Sequence, residues 1–131
     1  MFVDTSGFYC FINAADSQHA EATALMQGES DRFTHSYVLA ELVALCQARR
    51  IDRGLALNFT SAVLEDGNIG IIWVDEQLHR ESLALLQARP DKQYSLCDAV
   101  SFVLMSRSRE TVALSTDRHF EQEGFHRLLR G

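Results

Sequence analysis

The segment MFVDTSGF, residues 1–8, runs three apolar side chains into a lone aspartate, Asp4, and from there into a helical pattern. No lysine or arginine occurs before Arg32, so nothing nearby in sequence neutralises that carboxylate. A short apolar strand, Met1–Val3, leading straight into a helix is how an α/β chain begins, and the remainder repeats the alternation. Helices are expected at Ser6–Ala15 and Ser17–Gln27, the second with Ser17 as N-cap and Gly28 as stop, followed by a weak strand at Arg32–Thr34. Helices at Ser36–Arg50 and Leu55–Leu64 precede the turn signal EDGN and the clearest strand of the chain, IGIIWV, Ile69–Val74. Glu76–Arg89, ended by Pro90, and Ser95–Arg107 read as helices. TVALST, Thr111–Thr116, reads as a buried strand, with a helical turn at His119–Glu123 and an edge strand at Phe125–Leu129 beyond it. Alternation without repeats predicts an α/β fold over residues 1–131, one domain with a mostly parallel central sheet of about four to five strands and helices on both faces.

Composition narrows the functional classes. A hydrophobic fraction of 47% with 23% charged residues and one proline describes a globular chain with no disordered tail. The apolar stretch after Asp4 lacks the basic leader of a signal peptide, and no run approaches the ~18 apolar residues that cross a bilayer. Cys10, Cys46 and Cys97 have neither CxxC nor zinc-ligand spacing, which predicts reduced core thiols in a cytoplasmic protein. A net charge of −6 argues against nucleic-acid binding unless cations join the surface.

Ligands of parallel α/β sheets bind beyond the carboxyl ends of the strands, and that rule selects four acids. Asp4 ends the first strand and Asp117 the last strong one, TVALSTD, although a strand-ending aspartate also serves as the N-cap of the next helix. Glu41 is the exception in YVLAELVALC, where nine of ten residues from Tyr37 to Cys46 are apolar. A helix apolar all round is expected to be buried, so Glu41 calls for protonation, a distant basic partner or a metal. Asp98 follows Ser95 in an S-x-x-D pattern ahead of an apolar run, a capping box in its own right. A right-handed crossover into Thr111–Thr116 also brings it to the strands' carboxyl edge. Four carboxylates in one pocket need cations, and an oxygen-rich set favours Mg²⁺ or Mn²⁺ over zinc. Such ions answer the charge objection by carrying positive charge into an acidic cleft.

VDTSGF with Asp4 and Ser6, VLAEL with Glu41, DKQYSLCDAVSFVLM with Asp98, and STDRHFEQEGF with Asp117 together resemble the PIN domain, and within it the VapC-like ribonuclease toxins of toxin–antitoxin pairs. The resemblance implies that Asp4, Glu41, Asp98 and Asp117 are catalytic and hold Mg²⁺ or Mn²⁺, with Ser6, Thr116 and Ser95 in support. It implies RNA hydrolysis by a metal-activated water, a small antitoxin protein as partner and a homodimer without membrane association. Cys97 departs from the small or hydroxylated residue expected beside the acid. Contacts to RNA fall to Arg118, Lys92, Arg49 and Arg50, with Arg53 and Arg89 as further candidates, whereas His79 and His119 read as surface or cap residues. A phosphoacceptor receiver would need a lysine after a late strand, and a haloacid-dehalogenase phosphatase a D-x-D motif; neither is present. The competing class is a PIN-like module that binds RNA or protein without catalysis.

Overall fold

Phe2 and Val3 are wholly buried, and in the computed structural model, which describes residues 1–131, the two-residue strand they form is the centre of the sheet. In chain order the elements are β1 (Phe2–Val3), α1 (Thr5–Ile12), α2 (His19–Gly28), β2 (Arg32–His35), α3 (Ser36–Ala48), α4 (Arg53–Glu65) and β3 (Ile69–Ile72). They continue with α5 (Glu76–Gln87), α6 (Leu96–Ser108), β4 (Val112–Leu114), α7 (His119–Gln122) and β5 (His126–Arg127). Strand order is β3-β2-β1-β4-β5, and every neighbouring pair is parallel. The α/β reading therefore holds, with five strands and helices on both faces. From β1 the chain builds outward through β2 and β3, then crosses back to lay β4 on the other side of β1. The order reverses between β1 and β4, which is where folds of this kind open a crevice beyond the strand ends.

The helices differ from expectation mainly at their ends. α1 stops at Ile12, and α2 begins two residues later than predicted. Ser17 does not cap it; the Asp16 carboxylate instead accepts the Gln18 backbone N–H at 2.8 Å, forming a turn ahead of the helix. Asp52 and Asp75 accept the Leu55 and Leu78 N–H groups and so fix the starts of α4 and α5.

A larger correction concerns α3. Its buried residues, Val38, Leu39, Leu42 and Cys46, lie on one side, and Glu41 is exposed. Small side chains make the helix apolar in composition without making it buried on every side: Ala40 is exposed and Ala44 lies near it on the outer surface. The expectation of a carboxylate enclosed within the helix packing is therefore overturned, and Glu41 needs no compensation from the core.

Two contacts fix the frame around the crevice. His35, wholly buried at the N-cap of α3, accepts the Val38 N–H on Nδ1, and its Nε2 meets Ser101 Oγ at 2.9 Å. Ser101 in turn donates to the Cys97 carbonyl, so α3 is tied to the first turns of α6. Burial pushes the His35 imidazole down to about 3, which keeps the ring neutral in this role. On the other flank, α1 comes so close to β4 at Gly7 that a Cβ there would lie 2.2 Å from the Leu114 carbonyl oxygen. Only glycine permits that approach. Gly7→Ala is expected to lower stability by about 3 kcal/mol and Tm by roughly 10 °C, because backbone on both sides must move. Thermal unfolding of the two proteins in the same buffer checks this, and equal midpoints would contradict the close approach.

Candidate active site

The register Val3↔Leu114 sets the residues after β1 and β4 side by side. Asp4 and Ser115 are consequently neighbours, and Ser115 Oγ donates to Asp4 Oδ2 at 2.8 Å. Ser6 Oγ lies 3.4 Å from the same oxygen and 3.1 Å from Ser115 Oγ. Ser6 also accepts the Thr116 backbone N–H at 2.9 Å, while Ser115 Oγ accepts that of Asp117. Ser6 thus supports Asp4 as its position suggests. The second hydroxyl is that of Ser115, and Thr116 enters through its backbone. Thr111–Thr116 gives no way to tell which hydroxyl faces the acid until the register with β1 is known.

Asp4 is only 4% exposed, and its carboxyl is pushed up to about 7. Burial is the main cause; the Ser115 hydrogen bond pulls the other way, and the charges of Asp98 and Glu41 add to the rise. The same three acids bear on Cys97, whose thiol is raised chiefly by burial and then by Glu41, Asp4 and Asp98. Glu41, although exposed, is therefore near enough for its charge to act on both Asp4 and Cys97.

Asp98 completes the capping box of α6: its N–H donates to Ser95 Oγ, and its Oδ2 accepts the Ser95 N–H, both at 3.0 Å. Asp98 is thus the helix cap that its S-x-x-D pattern predicts, and the same carboxylate bears on the charge of Asp4. Burial raises its carboxyl, with the Ser95 and His119 hydrogen bonds opposing and Asp117 reinforcing the shift. Asp117 accepts the His119 N–H on Oδ1 at 2.9 Å.

His119 belongs to this group, although the sequence reads it as a cap or surface residue. Its Nδ1 lies 2.8 Å from Asp98 Oδ2 and 3.4 Å from Asp117 Oδ1. One donor atom from each of Asp98, Asp117 and His119 falls within 4.8 Å of the other two. The ring stands edge-on to that of Tyr94, centroids 5.3 Å apart, and Tyr94 donates to Glu123. No pattern in the sequence pairs His119 with another histidine; only the turn after β4 carries it to Asp98.

Basic residues frame the acids without neutralising them. None of Asp4, Glu41, Asp98 or Asp117 is ion-paired with a lysine or arginine. Arg118 is exposed beside Asp117, and Lys92, paired with Asp91 at 3.4 Å, lines a polar pocket that includes His119 and Gln122. Arg49 lies over the Tyr9 ring at 5.1 Å and lines a cleft shared with Ser6 and Thr116. Arg50 is exposed at the α3–α4 turn with φ 56° and lines neither recess. Arg89 is engaged by Glu123 through two hydrogen bonds, and Arg53 borders a separate groove between α3 and α4.

The fold is shared with known proteins. The PIN domain family matches residues 1–125. The VapC ribonuclease of Archaeoglobus fulgidus is 28% identical over 108 residues, covering 78% of this chain and 67% of that protein. Ribonuclease VapC26 of Mycobacterium tuberculosis is 28% identical over 92% of this chain and 89% of its own length. The crystal structure of Mycobacterium tuberculosis VapC20, described as a sarcin-ricin loop cleaving toxin, superposes with a TM-score of 0.87 at 27% identity, covering 95% of each chain.

The raised Asp4 carboxyl has a measurable consequence in metal-free buffer. A folded-state value of about 7 against an ordinary value of 3.8 means that Asp4 stabilises the fold fully below about pH 4 and loses that contribution as pH rises through 7. Asp4→Asn fixes the neutral state, so its stability advantage over wild type should grow across this window, reaching on the order of a few kcal/mol. The titration of His35 is common to both proteins and cancels in the difference. Melting curves in a chelator between pH 5 and 8 test this; parallel curves would contradict it.

Proposed function

Because the chain belongs to the PIN domain family, we propose that it is a VapC-like endoribonuclease in which Asp4, Glu41, Asp98 and Asp117 hold divalent metal and RNA is the substrate. One observation supports the reading most: Asp98 and Asp117 share the His119 imidazole, Asp98 and Glu41 both act on the charge of Asp4, and none of the four acids is paired with a lysine or arginine. Such a donor set suits a divalent cation, since buried carboxylates left together without one repel each other. Mg²⁺ and Mn²⁺ are the ions the oxygen-rich set favours. Bound there, a divalent ion supplies Lewis acidity toward a phosphodiester and lowers the pKa of water.

The chain's own residues do the rest. Ser115 and Ser6 orient the Asp4 carboxylate, and Ser95 holds Asp98 through the capping box. Glu41 is exposed and makes no hydrogen bond to the chain, so its carboxylate is open to an ion or to water. Arg118, Lys92 and Arg49, distributed around the acids, supply attraction for the flanking phosphates of a strand whose scissile phosphate lies at the metal. The reading carries a small antitoxin protein and a homodimer as partners, with residues 1–131 acting as one nuclease domain. It places the protein in the cytoplasm, in keeping with three unpaired buried thiols. No helix is long and apolar enough to cross a membrane.

Glu41→Gln is the discriminating variant because it alters an exposed side chain and leaves the core intact. Cleavage of RNA in Mg²⁺ or Mn²⁺ is expected to fall about a hundredfold while the melting temperature without metal is unchanged or higher. A PIN-like module that only binds would show no metal-dependent cleavage to lose. Labelled RNA assayed with and without chelator, alongside thermal melts, separates the two.

A further inference from the structure

We propose that His119 contributes a nitrogen ligand to the divalent-ion site and thereby tilts its preference from Mg²⁺ toward Mn²⁺. The inference rests on the nuclease reading of the acid cluster and adds a residue to it. The imidazole is not a distant neighbour of the carboxylates: Nδ1 is the atom turned toward both Asp98 and Asp117, at 2.8 and 3.4 Å. Donor atoms around an octahedral ion with bonds of about 2.1 Å lie about 3.0 Å apart when adjacent and about 4.2 Å apart when opposite. One donor atom from each residue lies within 4.8 Å of the other two, and for the three to face one ion His119 gives up its hydrogen bond to Asp98 Oδ2, the ion taking the place of the proton that Nδ1 and the carboxylate share.

The ring is also held where a ligand needs to be. The His119 N–H is fixed by Asp117 Oδ1, Phe120 beside it is wholly buried, and the edge-on contact with Tyr94 limits rotation of the imidazole. At 27% side-chain exposure the ring is neither buried out of reach nor free in solvent. Asp98 and Asp117 each use one carboxylate oxygen in bonds to the chain, Oδ2 and Oδ1 respectively, and the other oxygen accepts none. Each carboxylate can therefore take an ion without giving up its bond to the backbone.

Chemistry then sets the direction of the selectivity. Mg²⁺ prefers oxygen donors and keeps its waters, whereas affinity for imidazole rises along the first transition row. A nitrogen among carboxylates strengthens Mn²⁺ binding while adding little for Mg²⁺.

Metal binding, measured without RNA, tests this. Wild-type protein loaded with Mn²⁺ is expected to show nitrogen hyperfine coupling in pulsed electron paramagnetic resonance, and His119→Ala to lose it. Competition of Mg²⁺ against Mn²⁺ should show the preference for Mn²⁺ reduced about tenfold in His119→Ala. His119→Asp, which replaces the nitrogen with oxygen, should bind both ions with the preference likewise reduced. Wild-type protein that cleaves RNA with metal but shows no nitrogen coupling, or an unchanged ion preference in both variants, overturns the assignment and leaves the nuclease reading standing. Failure of wild-type protein to bind either ion overturns both.

Discussion

A carboxylate at the end of the central strand, buried and met by hydroxyls and a backbone N–H but by no cation, is the constraint around which this structure is arranged. Asp4 follows directly on β1, no lysine or arginine pairs with it, Gly7 brings α1 against β4 on one flank, and Ser115 donates to it on the other. Two serine hydroxyls within 3.4 Å soften the desolvation without cancelling it. The carboxyl accordingly sits near neutrality, where a divalent cation gains by replacing a proton. Placing a charge at such a point is destabilising in the absence of its ligand, a pattern characteristic of sites shaped by function more than by stability.

Topology gathers the other acids there. Reversal of strand order between β1 and β4 makes the ends of those strands the rim of one crevice, and Asp117 lies on the second strand's exit. Asp98 arrives by a different route, as the third residue of a helix whose capped end stands at the same edge. His35 and Ser101 then tie α3, which carries Glu41, to α6, which carries Asp98. A neutral, buried histidine is suited to that task, since a charged one would add a cation to the core and disturb the balance of the acids above it.

How much of this was legible in the sequence depended on whether the signal was local. Alternating strands and helices, the S-x-x-D box at Ser95 and Asp98, and acids directly following strands are local patterns, and each survived folding. Side-chain direction is not local. YVLAELVALC has the composition of a buried helix, yet two alanines and a glutamate form its outer surface, because alanine tolerates water well enough to mimic an apolar face in a count of residue types. Ser115 and His119 were out of reach for a related reason. The first is selected over Thr116 by strand register, and the second joins the acids only through the tight turn that follows β4.

The site also shows how one carboxylate serves structure and chemistry at once. Asp98 spends Oδ2 on the Ser95 N–H and on His119, and Asp117 spends Oδ1 on the His119 N–H. Each retains a second oxygen that the chain leaves alone. A helix cap needs one acceptor, and a metal needs one donor, so an aspartate at a capped helix start can satisfy both without compromise. The cap has a further effect: it removes rotational freedom from the side chain before any ion arrives, so that less ordering remains to be done on binding. Structural and functional readings of such a residue are therefore not rivals, and the rigidity that the first provides is what makes the second effective.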